Sequence, residues 1–309
     1  MKQLSIVVPV YNEQEMIPLF FKRMEGLLRE RFTYEYVFVN DGSKDNSLAI
    51  LKELAAQHSC VKIVSLSRNF GKEAAVTAGL SYTQAQAVVI MDVDLQDPPE
   101  LIPTFWEKFE QGYENIYGQR VDRSSDSFFK RITAQSFYKL YNKMASWPIP
   151  YNTGDFRMMS RRAVQAVCSL PEKERFMKGL FSWVGYKSIA VPYRRESRAA
   201  GQTKWNYWKL WNFALGGITS ATSIPLKLWT YFGLLVSFGA FIFAAWIAYK
   251  KWVWGNPVSG YASLMVTILF FSGVQLITLG VIGEYLSRIF VEVKQRPAYL
   301  VDETINLSE

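Results

Sequence analysis

Two long stretches without a charged side chain constrain this chain more than any other feature. No charged residue occurs between Leu228 and Tyr249, and none occurs between Trp252 and Gly283. Each stretch exceeds the ~20 apolar residues that a helix needs to cross a bilayer. Tryptophan and tyrosine residues gather near the ends of the stretches, as in the aromatic belts of membrane proteins. The sequence therefore predicts two transmembrane helices within residues 228–288, rather than a buried hairpin of soluble helices.

The residues before these spans are expected to lie in the cytosol. The apolar run Leu4–Val10 is too short for a signal sequence and is followed by polar residues. Two spans would return the C-terminal tail, residues 289–309, to the same side. The two cysteines, Cys60 and Cys168, are too few for a disulfide framework, which fits a reducing compartment. We therefore expect a multi-pass membrane protein with a cytoplasmic domain over residues 1–200.

Strand-like and helix-like patterns alternate through the first 120 residues. The predicted strands are Leu4–Val10, Tyr34–Asn40, Val61–Leu66, Ala87–Met91 and Glu114–Gly118; the predicted helices are Glu13–Arg31, Ser47–Gln57, Glu73–Thr83 and Pro99–Gln111. This alternation predicts an α/β fold with a Rossmann-like, doubly wound and mainly parallel sheet. A dinucleotide-binding domain requires a glycine-rich turn after the first strand, and residues 8–13 contain no glycine. The chain is therefore not expected to contain a dinucleotide-binding domain.

Acidic residues follow the fourth predicted strand. Asp92, Asp94 and Gln96 supply hard oxygen ligands suited to Mg²⁺ or Mn²⁺, and the carboxyl end of a strand is where open α/β sheets bind ligands. The alternative is an acidic turn in which Asp97 caps a helix that Pro98 and Pro99 open. The motif by itself is short and leaves both interpretations open.

A basic, tryptophan-rich segment precedes the predicted spans. Residues 187–227 contain seven lysine and arginine residues against a single acid, Glu196. Trp205, Trp208 and Trp211 recur at helical spacing, which predicts an amphipathic helix in the membrane interface over residues 201–227. A buried soluble helix would show the same spacing, and the basic residues could either bind phosphate or simply flank a membrane.

Six motifs in order give the chain a specific resemblance. They are Val7–Glu13, Asn40–Asp45, Arg68–Glu73, Asp92–Glu100, Gly154–Ser160 and Gly201–Trp205. Together they resemble family 2 glycosyltransferases of the GT-A fold, in the branch that acts on polyprenyl phosphates and includes dolichol-phosphate mannose synthases and bacterial bactoprenol glucosyltransferases. The resemblance covers nearly the whole chain.

The resemblance implies roles for individual residues. The nucleotide-sugar site would comprise Pro9, Tyr11, Glu13, Asp41, Lys72, Asp92, Arg198 and Lys204. The metal, Mg²⁺ or Mn²⁺, would be bound by Asp92, Asp94 and Gln96. Asp155 and Arg157 would be catalytic, with Asp155 acting either as a general base or as an electrostatic stabiliser. Independently of the resemblance, the candidates for binding the acceptor phosphate are Arg120, Arg123, Arg131 and Arg157, because guanidinium groups bind phosphate oxygens bidentately. The alternative is that such basic residues only flank a membrane.

The implied activity is inverting transfer of a hexose, glucose from UDP-glucose, to polyprenyl (undecaprenyl) phosphate at the cytoplasmic face of a bacterial inner membrane. Such a reaction serves O-antigen or other cell-envelope glycan modification. The alternatives are another sugar, such as mannose or an aminosugar, and a non-catalytic membrane scaffold of the same fold. A processive polysaccharide synthase is disfavoured because the chain has no Gln-x-x-Arg-Trp motif. We also expect a homo-oligomer, whose tail could dock on a neighbouring copy, and no nucleic-acid partner.

Overall fold

The fold is built around one eight-stranded sheet with the strand order β7-β5-β6-β4-β1-β2-β3-β8. The computed structural model describes residues 3–121, 142–143, 147–173, 175–194 and 260–307, together with individual helical residues between 229 and 253. The strands are β1 Leu4–Val10, β2 Tyr34–Asn40, β3 Val61–Leu66, β4 Ala87–Ile90, β5 Asn115–Arg120, β6 Thr153–Ser160, β7 Ser188–Tyr193 and β8 Val301–Ile305.

The helices that cover the sheet agree closely with the sequence patterns. They are α1 Met16–Leu28, α2 Ser47–Gln57, α3 Lys72–Ser81, α4 Ile102–Glu110, α5 Arg161–Ser169 and α6 Met177–Trp183, with a 3₁₀ turn at Pro99–Leu101. A longer helix, α7, runs from Tyr261 to Val293. The predicted elements of the first 120 residues are confirmed, with differences confined to a few residues at their ends.

The core lies on both faces of the central parallel strands. β1 pairs in parallel with β2 on one side and with β4 on the other. Its even-numbered residues, among them Ile6 and Val8, face the side covered by α1, while Val7 faces α3 on the other. Both sets are fully buried. Because parallel strands are covered on both sides, they are continuously apolar instead of alternating.

The expectation of a mainly parallel sheet holds only in part, because the strand pairs outside this central block run in both directions. β5 and β7 pair in parallel. β6 pairs antiparallel with both β4 and β5, and β8 pairs antiparallel with β3. The sheet is therefore mixed. The sequence pattern did not show this because β6, β7 and β8 lie beyond residue 120, where strands no longer alternate regularly with helices.

Many of the described apolar side chains of helix α7 are exposed. Within the part of the chain that the structure describes, one segment, Phe270–Val293, is long and apolar enough to cross a bilayer. Leu276 is 70% exposed and Val293 72% exposed, whereas the core helix of a soluble protein would bury such residues. The expected pair between Glu284 and Arg288 is present at 2.9 Å. The helix extends five residues beyond the predicted boundary at 288.

After α7 the chain returns to the eight-stranded sheet. β8 forms an edge strand on β3, and the Lys52 ammonium lies 2.7 Å from the Glu303 carboxylate. The Asn306 amide donates hydrogen bonds to the carbonyl oxygens of Ala55 and Val61, each at 2.9 Å. The tail thus packs on its own chain in this structure, and the homo-oligomer stays a prediction.

Candidate active site

Four of the predicted nucleotide-site residues lie just beyond the carboxyl ends of the central strands. From β1 the chain proceeds to β2 and β3 on one side, while β4 lies on the other, so the strand order reverses between β1 and β4. Ligands of open α/β sheets bind at such a switch point, outside the carboxyl ends of the strands. Tyr11 and Glu13 follow β1, Asp41 follows β2, and Asp92 lies just beyond β4. The structure therefore brings these residues to the expected place.

Asp41 holds two loops together at this edge. Its carboxylate accepts hydrogen bonds from the backbone N–H groups of Phe70 and Gly71 at 2.7 and 3.0 Å, and from the Asn69 amide at 3.0 Å. Burial raises the pKa of Asp41 above its ordinary value, although these hydrogen bonds work in the opposite direction. Asp41 thus positions the loop that leads into Lys72, a structural task that the motif alone did not reveal.

Gly42 permits this close approach of the two loops. It adopts a positive φ of 61°, and a Cβ atom at this position would lie 2.4 Å from the carbonyl carbon of Arg68. Both the backbone conformation and the contact require glycine. The Asp41-Gly42 sequence is therefore needed to seat residues 68–71 against the end of β2.

Lys72, the first residue of α3, contacts two acidic side chains, one just beyond β4 and one on β6. Its Nζ atom lies 2.7 Å from Oδ1 of Asp92 and 2.6 Å from Oδ2 of Asp155. Asp155 lies on β6, which pairs with β4, so the antiparallel insertion of β6 carries its carboxylate to the switch point. The Asp155 side chain is only 16% exposed. Its Oδ1 atom is buried and accepts no hydrogen bond from the described residues.

The charges in this group stabilise each other. Removal from water acts against the Lys72 ammonium, but Asp155 and Asp92 raise its pKa above the ordinary value. Burial likewise acts against the Asp155 carboxylate, yet Lys72 and Lys178 together with Arg157 hold the pKa of Asp155 well below its usual range. Asp155 therefore remains ionised at every physiological pH.

Glu73 differs from Lys72 and Asp155 because its surroundings disfavour its charged form. Burial, reinforced by the negative charge of Asp155, raises the pKa of Glu73 to about 7. Its carboxylate accepts a hydrogen bond from the backbone N–H of Met177, at the start of α6. Glu73 therefore links α3 to α6 beside the acidic centre and changes its charge near neutral pH.

The proposed metal ligands have suitable chemistry. Asp94 is 8% exposed, and its Oδ1 accepts a hydrogen bond from the backbone N–H of Gln96 at 3.2 Å. Among the described residues, no group of three or more His, Cys, Asp or Glu side chains is arranged to hold a metal ion. The predicted set has two carboxylates and one amide oxygen, which suits an ion whose remaining ligands are diphosphate oxygens.

Asp97 does not cap the following helix. The 3₁₀ turn at Pro99 has no side-chain cap, and the Asp97 carboxylate instead accepts a hydrogen bond from the Tyr193 hydroxyl. The Arg120 Nε donates to the same hydroxyl at 3.1 Å, and its guanidinium lies 3.8 Å from Asp97. Arg120, predicted to bind the acceptor phosphate, thus lies in a network that ties β5 to β7 and the acidic loop.

Arg157 is buried beneath the acidic centre. Its guanidinium lies 3.9 Å from the centre of the Phe181 ring and donates a hydrogen bond to the Gly154 carbonyl at 3.0 Å. The residue is 4% exposed. These contacts fix the guanidinium on the same face of β6 as Asp155.

Four predicted site residues lie outside the described part of the chain: Arg123, Arg131, Arg198 and Lys204. Two residues of the cluster, Glu73 and Lys178, had no predicted role. Glu73 belongs to the Arg68–Glu73 motif, so its neighbourhood was visible in the sequence. Lys178 had no such signal, because α6 lies in a segment without regular patterning.

The fold combines a parallel α/β block, an Asp-x-Asp motif at its switch point and a buried carboxylate from an antiparallel strand. This arrangement fits a glycosyltransferase. Two family models match the chain: Glycosyl transferase family 2 over residues 5–168 and GtrB C-terminal hairpin over residues 224–289. The protein belongs to glycosyl transferase family 2 and is an enzyme of that family.

Relatives match over almost their entire length. An uncharacterized glycosyltransferase of Synechocystis sp. is 52% identical over 97% of this chain and 95% of its own. The SfII prophage-derived bactoprenol glucosyl transferase of Shigella flexneri is 49% identical over 98% of both chains. Among solved structures, a mannosyltransferase from Pyrobaculum calidifontis in complex with GDP-Man and Mn²⁺ has a TM-score of 0.51 at 17% identity, covering 94% of this chain and 86% of its own. That likeness supports the fold.

Proposed function

We propose that the protein transfers glucose from UDP-glucose to polyprenyl phosphate at the cytoplasmic face of the membrane, for O-antigen or other cell-envelope glycan modification. The observation that carries this proposal is the 49% identity, over nearly the whole chain, to a bactoprenol glucosyl transferase. The active-site cluster supports it, because Lys72, Asp92 and Asp155 are all present and in contact.

The donor would bind at the β1–β4 switch point. Pro9, Tyr11 and Glu13 lie at the end of β1, where Tyr11 offers a ring face and Glu13 a hydrogen-bond acceptor to the base and ribose. Asp92, Asp94 and Gln96 would hold Mg²⁺ or Mn²⁺, which as a Lewis acid offsets the charge that develops on the departing diphosphate. Lys72 would supply a further positive charge beside that diphosphate.

In the transfer, an oxygen of the acceptor phosphate attacks the anomeric carbon of the sugar. The bond between that carbon and the diphosphate oxygen breaks, and UDP departs with the electron pair, so the anomeric configuration inverts. The second pKa of a phosphate monoester is about 6, so the acceptor needs little deprotonation at neutral pH. A carboxylate whose pKa is well below its usual range is also a poor proton acceptor.

Asp155 therefore acts as an electrostatic group rather than as a general base in this proposal. Its negative charge would stabilise the positive charge that develops at the anomeric carbon. It also orients the Lys72 ammonium through the 2.6 Å contact.

The membrane arrangement completes the proposal. The exposed apolar surface of α7 and the match of the hairpin model over residues 224–289 support two spans within residues 228–288. The catalytic domain would occupy residues 1–200, the interface segment residues 201–227, and the tail residues 289–309. Trp205, Trp208 and Trp211 lie outside the described residues, and their interfacial helix stays a prediction.

The test is transfer by the purified full-length protein in detergent. Polyprenyl phosphate is supplied together with labelled UDP-glucose, UDP-N-acetylglucosamine or GDP-mannose, and label is counted in the lipid phase. We expect labelled lipid only from UDP-glucose. Polyprenol, which lacks the phosphate, is the control acceptor and should remain unlabelled. Label from another donor would reassign the sugar, and no labelled lipid from any donor would favour the scaffold alternative.

A further inference from the structure

The loop that carries the predicted metal ligands is held by a strand that supplies none of them. The loop runs from Met91 to Pro98, directly after β4. In the sheet, β6 and β5 separate β4 from β7. The loop nevertheless reaches β7, because the Asp97 carboxylate accepts a hydrogen bond from the hydroxyl of Tyr193, the last residue of that strand. Asp97 directly follows Gln96, so the contact restrains the chain next to a predicted ligand.

The backbone between Asp94 and Asp97 adopts a conformation that its surroundings have to hold in place. Leu95 has a positive φ of 54°, in the left-handed region that a leucine rarely adopts. Its side chain is 7% exposed and belongs to the buried cluster on the α1 side of the sheet. Such a conformation persists only where neighbouring contacts determine it. Burial of Leu95 supplies one of these contacts, and the hydrogen bond at Asp97 supplies another beyond the turn.

The Tyr193 ring lies in a slot that fixes its position independently of the loop. A Cβ atom at Gly118 would lie 2.8 Å from Cε1 of Tyr193, so a side chain at this position of β5 would displace the ring. The Phe156 ring packs edge-on against it, with the ring centres 6.1 Å apart. Tyr193 is 5% exposed. The hydroxyl is therefore presented to Asp97 from a rigid support.

The Tyr193 hydroxyl connects the loop to a cation on β5. It donates to Asp97 and accepts a hydrogen bond from Nε of Arg120 at 3.1 Å. Burial and the negative charge of Asp97 raise the pKa of Tyr193 above its ordinary value, so the hydroxyl stays protonated and donates at neutral pH. Asp97 is 4% exposed, and the Arg120 guanidinium lies 3.8 Å from its carboxylate. A buried carboxylate needs such partners to keep its charge.

We propose that Tyr193 is a positioning residue for the metal site, because through Asp97 its hydroxyl holds Asp94 and Gln96 in the arrangement that binds Mg²⁺ or Mn²⁺. Removal of groups that orient a metal site typically lowers metal affinity about 10–100-fold. The inference rests on the proposed function, since it takes Asp92, Asp94 and Gln96 as the ligands. Neither Tyr193 nor Asp97 had a predicted role in metal binding.

The first experiment measures UDP binding to the full-length protein in detergent, by calorimetry over a series of Mn²⁺ concentrations. Tyr193→Phe keeps the ring and removes only the hydroxyl. We expect the Mn²⁺ concentration that gives half-maximal UDP affinity to rise about tenfold. At saturating Mn²⁺ the UDP affinity should return to within about twofold of wild type, because the ligands themselves are intact.

The matched control is Tyr34→Phe. It removes a hydrogen bond of the same kind, from the Tyr34 hydroxyl to the Glu25 carboxylate at 2.7 Å, at the amino end of β2 and away from the metal loop. Both variants should lower the unfolding temperature to a similar extent, since each loses one such bond. Only Tyr193→Phe should change the Mn²⁺ dependence. An Mn²⁺ dependence equal to that of the control overturns the positioning role.

The second experiment measures transfer from UDP-glucose as a function of Mn²⁺. Tyr193→Phe should require about tenfold more Mn²⁺ for half-maximal transfer, whereas kcat at saturating Mn²⁺ should stay within about threefold of wild type. The KM for polyprenyl phosphate should stay within about twofold. A loss of kcat that saturating Mn²⁺ does not restore would contradict a role in positioning the metal ligands.

A double-mutant cycle tests whether the hydroxyl acts through Asp97. Asp97→Ala should raise the Mn²⁺ requirement at least as much as Tyr193→Phe does, and the double variant should show no further rise. Additive effects would show that the hydroxyl acts by another route and would overturn the inference. Tyr193→Phe and its control decide the question independently of how well Asp97→Ala folds.

The outcomes separate this inference from the proposed function. Absence of labelled lipid from the wild-type protein contradicts the transfer reaction, and wild-type UDP binding that is independent of divalent ions contradicts the metal assignment. If the wild-type protein binds UDP in an Mn²⁺-dependent manner and Tyr193→Phe shows the same dependence, the role of Tyr193 alone is overturned.

Discussion

The Nζ atom of Lys72 lies 2.6 Å from Oδ2 of Asp155 and also 2.7 Å from Oδ1 of Asp92. One ammonium thus connects the carboxyl end of β4, where the donor diphosphate is proposed to bind, with the buried carboxylate of β6. Because the ammonium contacts Asp92 and also lowers the pKa of Asp155, Lys72 couples the donor site to the reacting centre electrostatically.

Lys72→Met should reduce turnover by about 100-fold, because a positive charge next to the departing diphosphate is lost and the pKa of Asp155 rises. Initial rates of transfer from UDP-glucose at saturating acceptor give the measurement. Lys108→Met is the matched control, since Lys108 lies on the exposed side of α4 and contacts Gln111. A turnover equal to that of the control variant would remove Lys72 from the active site.

Asp155→Asn should lose roughly 10²–10⁴-fold in turnover, and the loss should be constant from pH 6 to 9. The reason is that the pKa of Asp155 is held far below this range, so the wild-type carboxylate stays ionised throughout. A pH–rate profile of both proteins provides the test. Recovery of the variant above pH 8, where the acceptor phosphate is fully ionised, would instead identify Asp155 as a general base.

Chelation of divalent ions should abolish transfer, and Mg²⁺ or Mn²⁺ should restore it. Asp94→Ala should weaken donor binding as well as turnover, because a site with only two carboxylates loses one of them. Binding of UDP-glucose, followed by calorimetry with and without the metal, is the measurement. Glu107→Ala, an exposed acidic residue of α4, is the control. Undiminished activity in excess EDTA would contradict the metal assignment.

Much of the fold was predictable because local patterns determine it. Leu4–Val10 and Tyr34–Asn40 are short, mainly apolar runs rich in β-branched and aromatic residues, which indicates buried strands, and their bounds were predicted to the residue. Strands β6 and β8 were not predicted, because local sequence patterns do not determine their pairing. Their pairing depends on contacts with β4 and β3, more than 60 residues away in sequence for β6 and more than 200 for β8.

The residue types of the candidate site could be predicted from the sequence, but the contacts between these residues could not. Asp92 and Asp155 each stand in a recognisable motif, whereas their common contact with Lys72 depends on the insertion of β6 beside β4. Asp41 illustrates the opposite case. Its motif predicted a contact with the donor nucleotide, which stays a prediction. The hydrogen bonds that its carboxylate accepts from the backbone N–H groups of Phe70 and Gly71 were not predicted.

Asn306→Ala should lower the thermal unfolding temperature of the full-length protein by about 2–4 °C. The variant loses two hydrogen bonds to the Ala55 and Val61 carbonyls, which together contribute about 1 kcal/mol at a partly exposed position. Asp302→Ala, at an exposed position of β8, is the control. Equal unfolding temperatures for the two variants would show that β8 is not held on β3 by the Asn306 contacts.

Glu73→Gln should stabilise the protein above neutral pH and leave its stability unchanged near pH 5. The pKa of Glu73 is raised from 4.5 to about 7, so the native state binds a proton more tightly than the unfolded chain does. The free energy of unfolding of the wild-type protein therefore falls as pH rises from about 4.5 through 7. Glutamine resembles the protonated side chain and escapes that loss. We expect the unfolding temperature of Glu73→Gln to exceed that of wild type by roughly 2–4 °C at pH 8, with no difference at pH 5.

Glu53→Gln, on the exposed side of α2, should show no such pH-dependent difference. If the Glu73→Gln difference were the same at both pH values, the carboxyl group would not change its charge in this range, and its link between α3 and α6 would be independent of pH.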